Sequence, residues 1–428
     1  MKVHIENIGC FKNLVDSERL LYAVERLGFD VSFGKLQSPA DVAIVNTCGF
    51  ISDAEEDSTT LIRQYVVRKA DGTVGQLWVM GCYGQKMGEK LKEEIPAVDL
   101  VFGNFNWGDI LTKLGGMTGY EFGPERHITT PRHYAYLKIS EGCNRPCSYC
   151  IKPVLNGSLK SVPVERLVDE AKWLVSQGVH EFQLVAQNLT DYGADLYGEK
   201  KIAELVERIS DIPGVDWIRL HYAYPIGFPK RLLDVMRERD NVCKYLDMAL
   251  QHCNPEMFRL MRRSMPKEKL LSLLSEIRAA VPGIYLRTTL MVGFPGETDE
   301  MFDELCTFVR EQKFERMGVF RYSPQQGSYS QLHYPDTVAE QVKTSRALTL
   351  MNIQKQHYQS LNSSLVGSVQ KVIVDCLRDG KYHCRTEHST PMADPKIIVD
   401  SERPLEIGSF QAVRITEAIG KDMRGVAE

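Results

Sequence analysis

Cys143, Cys147 and Cys150, in the run Cys143-Asn-Arg-Pro-Cys147-Ser-Tyr-Cys150, are spaced closely enough to ligate one metal centre. Thiolates are soft donors that suit iron–sulfur clusters and zinc, and three of them leave one iron of a four-iron cluster without a protein ligand. An open iron can bind a small molecule and act on it. A zinc knuckle is the rival reading, but zinc would take a fourth Cys or His, typically from a second paired motif. The closest histidine in sequence, His133, precedes the run. Buried cysteines that bind nothing are the remaining alternative.

Cys10, Cys48 and Cys82 are dispersed, yet they share one topological position. Each follows an apolar run and precedes a helical pattern: Val3 to Ile8 before Gly9-Cys10, Val42 to Asn46 before Thr47-Cys48, Leu77 to Met80 before Gly81-Cys82. In a parallel α/β sheet such points lie along the edge where ligands bind, and adjacent helix N-termini are expected to favour the thiolate. Core packing is the competing explanation, but buried cysteines rarely repeat at one topological position. The pattern points to a second three-thiolate centre. Cys243, Cys253, Cys306, Cys376 and Cys384 fit no ligand template and read as packing.

The elements that must position these cysteines follow from periodicity. Helical patterns at Leu14 to Leu27, Ala54 to Lys69 and Gln85 to Glu94 alternate with the first three apolar runs, which gives a small parallel α/β sheet domain over 1–118. A stretch holding Gly115, Gly116, Gly119, Gly123, Pro124 and Pro131 then breaks the periodicity, as an interdomain linker does. Six strand candidates follow: Tyr134 to Ile139, Phe182 to Ala186, Trp217 to Tyr222, Tyr245 to Leu250, Tyr285 to Val292 and Met317 to Tyr322. Helical segments separate them, notably Val164 to Val175, Ile202 to Ile209, Lys267 to Ala280 and Asp299 to Gln312. Six βα units predict a partial (β/α)6, TIM-like barrel over 129–360, with its site at the C-terminal strand ends. A long helix from about Val338 to Leu361 closes it, and short alternating runs at Val369 to Cys376, Tyr382 to Arg385, Lys396 to Val399 and Phe410 to Ile415 predict a small β-barrel over 361–428.

Composition narrows the function classes. With 428 residues, 43% of them hydrophobic, the chain can bury several ordinary cores, which excludes a disordered or fibrous protein. No stretch is apolar for the roughly 18 residues that a membrane helix needs, and Met1 to Gly9 lacks the features of a secretory signal. A cytoplasmic protein without a membrane partner is expected. The cysteine count of 11 is odd, so metal explains it better than disulfides. A net charge of −4, from 52 basic and 56 acidic residues, gives no general attraction to nucleic acid.

A Cys-x3-Cys-x2-Cys run after the first strand of a (β/α) barrel resembles the radical SAM superfamily. The resemblance implies that Cys143, Cys147 and Cys150 hold a 4Fe-4S cluster whose open iron binds S-adenosylmethionine, which the cluster cleaves to a 5'-deoxyadenosyl radical. It implies cofactor contacts for Tyr149, beside the third cysteine, for Gln187 and Gln251, which follow the second and fourth strands, for Arg287 on the fifth, and for Gly293 and Glu297 in Gly293-Phe-Pro-Gly-Glu297. Two cysteine triads, a sheet domain, this barrel and a terminal β-barrel together resemble the methylthiotransferases over nearly the whole chain. Arg385-Thr-Glu387 matches the recurrent segment of their TRAM domain. On that likeness Cys10, Cys48 and Cys82 hold an auxiliary 4Fe-4S cluster.

Methylthiotransferases modify either tRNA adenosines or an aspartate of small-subunit ribosomal protein twelve. Gly9-Cys-Phe-Lys-Asn-Leu-Val-Asp-Ser-Glu18, Leu220-His-Tyr-Ala-Tyr-Pro225, Leu250-Gln-His252 and Gly142-Cys143-Asn144 resemble the ribosomal-protein type. Val162 departs from it, standing where the family usually has arginine, and Cys384 replaces a glycine. Residues 366–428 carry nine Lys and Arg against ten Asp and Glu, whereas a domain gripping tRNA phosphates should be basic. The likeness implies methylthiolation of the aspartate β-carbon, with two S-adenosylmethionine consumed and a low-potential electron donor as a further partner. A tRNA methylthiotransferase and a two-cluster electron carrier are the rival readings.

Overall fold

The computed structural model describes residues 1–104, 106–116, 121–263 and 265–428. Its first unit is a parallel sheet of β1 (Lys2–Asn7), β2 (Asp30–Phe33), β3 (Ala40–Thr47), β4 (Val74–Gly81) and β5 (Leu100–Val101), in the order β2-β1-β3-β4-β5. Alternate residues of β3 point to opposite faces. Val42 and Ile44 pack with Leu20 and Val24 of the helix Phe11–Arg26, while Ala43 and Val45 pack with Ile62 and Tyr65 of the helix Ser52–Ala70. Burial on both faces explains why these strands read as continuous apolar runs. The expected helix at Gln85 to Glu94 is instead two short ones, Cys82–Met87 and Lys90–Glu94, parted where Gly88 takes φ +53°.

The second unit holds β6 (Tyr134–Lys138), the short antiparallel pair β7 (Ser140–Glu141) and β8 (Lys160–Ser161), then β9 (Glu181–Val185), β10 (Trp217–Ala223), β11 (Val242–Met248), β12 (Tyr285–Val292) and β13 (Arg316–Arg321). Six of these form one parallel sheet in the order β13-β12-β11-β10-β9-β6. This is the partial barrel that the six βα units predict. Leu184, Leu220, Leu246, Leu286 and Leu290 join the surrounding helices in the largest core of the molecule. The residues between them, including Gln183, Arg219, His221, Asp247 and Arg287, are polar, and several are linked to one another by hydrogen bonds or ion pairs. The fourth strand lies a few residues earlier than expected, after a helix, Arg231–Glu238, that the sequence reading passed over.

The closing helix, Glu340–Leu365, runs along β13 to the third unit, a closed barrel of β14 (Val369–Arg378), β15 (Lys381–Arg385), β16 (Ile397–Asp400), β17 (Phe410–Ile419) and β18 (Asp422–Ala427). Val372, Val374, Cys384, Ile397, Val399, Val413 and Ile415 fill it. Cys243, Cys253, Cys306 and Cys384 are buried, and Cys376 is half-buried. The small barrel docks on the N-terminal end of the large one. Arg385, fully buried, forks between Glu181 of β9 and Asp375 of β14, while Asp394 accepts from Arg287 at 2.6 Å and from the Tyr245 hydroxyl at 2.9 Å. Phe410 meets the Trp217 ring edge-on with centroids 4.8 Å apart. Among the described residues no helix is long and apolar enough to cross a membrane.

Candidate functional site

A single cavity of about 330 Å³ lies where the C-terminal strand ends of the first sheet face those of the barrel, and all six cysteines of the two triads line it. Cys10, Cys48 and Cys82 follow β1, β3 and β4, which are adjacent in the sheet, so strand order alone brings them together. Asn46, fully buried, fixes this edge: its amide donates to the Asn13 carbonyl and to the Ser17 hydroxyl, both at 2.9 Å. Asn13 in turn sits 3.1 Å from the Cys10 sulfur. At Gly81, φ is +94° and any side chain would overlap Asn46 and Thr47, so only glycine allows the turn into Cys82.

The loop carrying Cys143, Cys147 and Cys150 is held from several sides. The backbone N–H of Cys143 donates to the Gly157 carbonyl at 3.1 Å, that of Ser148 to the Met261 carbonyl at 3.0 Å, and that of Arg145 to the Cys143 sulfur at 3.4 Å. Arg145 forks onto Asp191 at 2.6 and 2.7 Å. Its guanidinium and that of Arg263 lie 4.4 and 4.3 Å from the Tyr224 ring centroid. Arg263 also donates to the Tyr149 hydroxyl at 3.0 Å and stands 3.8 Å from the Cys147 sulfur.

The thiols differ in their electrostatics. Burial opposes ionisation of Cys10, but Lys12, Lys152 and backbone hydrogen bonds outweigh it and hold the thiol below its ordinary value. Burial, reinforced by Cys10 and Cys48, pushes Cys82 up to about 12, and burial pushes Cys150 up to about 11. Cys48 and Cys143 are also raised, chiefly by burial. Of the three thiols of the first unit only Cys10 is lowered, chiefly by Lys12, with backbone N–H groups at the start of the following helix adding to it. Cys10 directly precedes the helix Phe11–Arg26, whereas the helix after Cys48 begins only at Ser52 and the one that Cys82 opens is short, ending at Met87. Thiols held up chiefly by burial stay protonated, and metal binding would release their protons.

The residues present fit a cluster and a polar cofactor. Thiolates are soft donors of the kind that iron–sulfur clusters take, and three from each unit line the one cavity. The side-chain oxygens of Gln187 and Gln251 are buried without a partner in the cavity wall. Gln251 has φ +72°, an uncommon conformation for a residue with a side chain. Tyr149 lines the same space.

Three expected cofactor contacts lie elsewhere. Arg287 points to the barrel floor, where Asp394 and Asp247 engage it. Gly293 takes φ +71° against the side chain of Lys343. Glu297, fully buried, accepts from the Gly293 N–H and pairs with Arg346 at 2.7 Å and His252 at 3.3 Å, so it anchors the closing helix. Gln187 and Gln251, which follow their strands, line the cavity, whereas Arg287 sits near the start of its strand. Sequence reasoning passed over Lys12, Asn13, Glu141, Lys152, Tyr222, Tyr224 and Arg263, all of which line the cavity. Tyr222 and Tyr224 lie in the segment 220–225 that resembles the ribosomal-protein type, and Lys12 and Lys152 each stand two residues after a cysteine. No local pattern marks Arg263.

Comparison with known proteins agrees with this architecture. Family models match residues 2–103 (uncharacterized protein family UPF0004), 137–309 (radical SAM superfamily) and 366–427 (TRAM domain). The chain is 48% identical to the ribosomal protein uS12 methylthiotransferase RimO of Bacteroides thetaiotaomicron, over 99% of this chain and 97% of that protein. The RimO of Porphyromonas gingivalis is also 48% identical, over 97% and 96%, and that of Cytophaga hutchinsonii 42%, over 99% and 97%. Among solved structures, the radical S-adenosylmethionine methyltransferase TsrM of Kitasatospora setae superposes with a TM-score of 0.56 at 15% identity, covering 74% of this chain and 72% of that one. The cobalamin-dependent radical enzyme OxsB gives 0.53 at 12%, covering 82% and 56%. At that identity the likeness concerns the fold alone. Near-complete coverage at almost half identity, with a radical SAM barrel and a TRAM barrel in matching order, makes the chain a member of the RimO family of radical SAM methylthiotransferases.

Proposed function

We propose that this enzyme adds a methylthio group to the β-carbon of an aspartate of ribosomal protein uS12 in the cytoplasm, using two 4Fe-4S clusters and S-adenosylmethionine. The observation that carries this reading is the convergence of six cysteines, three from each unit, on one cavity. Cys143, Cys147 and Cys150 would hold the cluster that works with S-adenosylmethionine, and Cys10, Cys48 and Cys82 the auxiliary one. When bound, these groups supply hydrogen removal from an unactivated carbon and the sulfur and methyl that replace it, which no acid or base of the chain could do. The domain division is 1–118, 129–360 and 361–428.

The chain itself binds, orients and shields. Gln187, Gln251 and Tyr149 offer polar and aromatic contacts for the cofactor, and the fork of Arg145 on Asp191 keeps the cluster loop in register. Tyr222, Tyr224, Phe50 and Phe320 give the cavity an aromatic lining. A low-potential electron donor would complete the system. The test is mass analysis of uS12 and of tRNA nucleosides from a strain lacking the gene, with an anaerobic assay for 5'-deoxyadenosine. Loss of the uS12 mark is expected. Loss of a tRNA mark alone, or absence of cofactor cleavage, would transfer the reading to a tRNA enzyme or an electron carrier.

A further inference from the structure

Four basic side chains reach the cavity, Lys12, Arg145, Lys152 and Arg263, and two are already engaged. Arg145 holds Asp191, and Arg263 donates to Tyr149 and to the Ala249 carbonyl. The cavity's carboxylates are engaged as well. Lys138 pairs with both Asp16 and Glu141, and Glu141 accepts further from Asn156 at 2.8 Å and from Gln187. Lys12 and Lys152 differ. Among the described residues neither ammonium has a carboxylate within ion-pair distance; both stand over aromatic rings instead. Lys12, only 7% exposed, lies 4.9 Å from the Tyr222 ring centroid, and Lys152 lies 6.0 Å from the same ring and 4.3 Å from that of Phe50.

The pair spans the seam between the two units, Lys12 following Cys10 and Lys152 following Cys150. Tyr222, at φ +62°, carries the ring that gathers both cations. Both ammonium groups act on the Cys10 thiol, while ring faces satisfy them only in part. An anion with two oxygens would give each a stronger acceptor. We propose that Lys12 and Lys152 form a carboxylate-binding pair that takes the side chain of the acidic residue to be modified, selecting aspartate over its amide and presenting its β-carbon between the two cysteine triads. This assignment rests on the aspartate reading above. The competing role is that both lysines only offset the negative charge of clusters ligated by three thiolates each.

The test uses reconstituted holoenzyme, kept anaerobic, and two labelled peptides of uS12 sequence that differ only in aspartate or asparagine at the target position, read by fluorescence anisotropy. Wild-type protein should bind the aspartate peptide at least about tenfold more tightly, as expected of a charge-assisted contact in a buried site. Lys12→Met and Lys152→Met should each reduce that preference to about threefold or less, and Lys12→Arg should retain most of it. Each protein is compared with itself on two peptides, so partial loss of folded protein cancels. Undiminished preference in both methionine variants, accompanied by shifted cluster potentials, would overturn the proposal in favour of the counter-charge role. Equal binding of both peptides by the wild type would overturn it too. Failure of the aspartate reading looks different: uS12 incubated with wild-type enzyme would gain no methylthio mass.

Discussion

Replacing Arg385 by methionine is the most demanding test of how the C-terminal barrel is attached. The guanidinium makes four hydrogen bonds to carboxylates, to Glu181 at 2.6 and 2.8 Å and to Asp375 at 2.7 and 2.8 Å, in a site where Arg385 and Glu181 have no exposed surface. Methionine keeps much of the volume and removes the charge, leaving two buried carboxylates with fewer partners. Breaking a buried pair from one side costs about 3–5 kcal/mol. The acid side gives a second measure. Burial raises the Glu181 carboxyl, but Arg385 and Arg219 outweigh it and bring the group from 4.5 down to about 2. That difference corresponds to about 3 kcal/mol. Because the folded value is depressed, this share of stability is present above pH 4.5 and fades as pH falls towards 2. Hydrogen exchange of strands β9 and β15, read by mass spectrometry, reports the local opening energy directly. In Arg385→Met that energy should fall by about 3–5 kcal/mol at neutral pH, and lose much of its acid sensitivity. Adding Glu181→Gln should recover part of the loss, since one buried charge is then gone. A single-variant loss under about 1 kcal/mol, or a double variant no better than the single, would refute the reasoning.

Cys10→Ala should lose about half of the iron and sulfide while still cleaving S-adenosylmethionine, whereas Cys143→Ala should abolish cleavage, as anaerobic metal counts and 5'-deoxyadenosine assays can check. Gly142→Ala should lower iron occupancy of the barrel centre without touching a ligand, because φ is +70° there and a methyl group would overlap the Ser158 carbonyl. Arg346→Ala should reduce the melting temperature and cost about 3 kcal/mol, since it strips Glu297, fully buried, of its cation and leaves Asp299 unpaired; an unchanged melting curve would contradict that role.

The sequence was legible where one physical rule dominated. Val42 to Asn46 and Leu77 to Met80 announce themselves because both faces of each strand are buried, and the strand-then-cysteine recurrence needed only the parallel topology to become a cavity wall. The edge strands Asp30–Phe33 and Leu100–Val101 escaped notice because one is half-exposed throughout and the other is two residues long. Asp422–Ala427 escaped because Gly425 and its charged neighbours weaken the apolar alternation. The site residues that were overlooked share a cause. Arg263 and Tyr224 are brought to Cys147 by tertiary packing, and nothing local in Met261-Arg-Arg263 says which arginine turns inward. Arg287 misled for the converse reason: its strand ends at the cavity, but its own position lies two residues from the strand's start.

The helix Glu340–Leu365 touches both ends of the large barrel. Arg346 grips Glu297 near the mouth, Gln354 donates to the Phe314 carbonyl at 2.9 Å midway, and Asn362 donates to the Gly420 and Lys421 carbonyls at 3.3 and 3.1 Å. A helix advances about 100° per residue, so these three grips fix the rotational phase of a rod as well as its length. Mouth and base are therefore geared together: lengthening the rod by one residue after Gln354 would swing Asn362 out of engagement and twist the small barrel against its seat, while the grips nearer the mouth kept their phase.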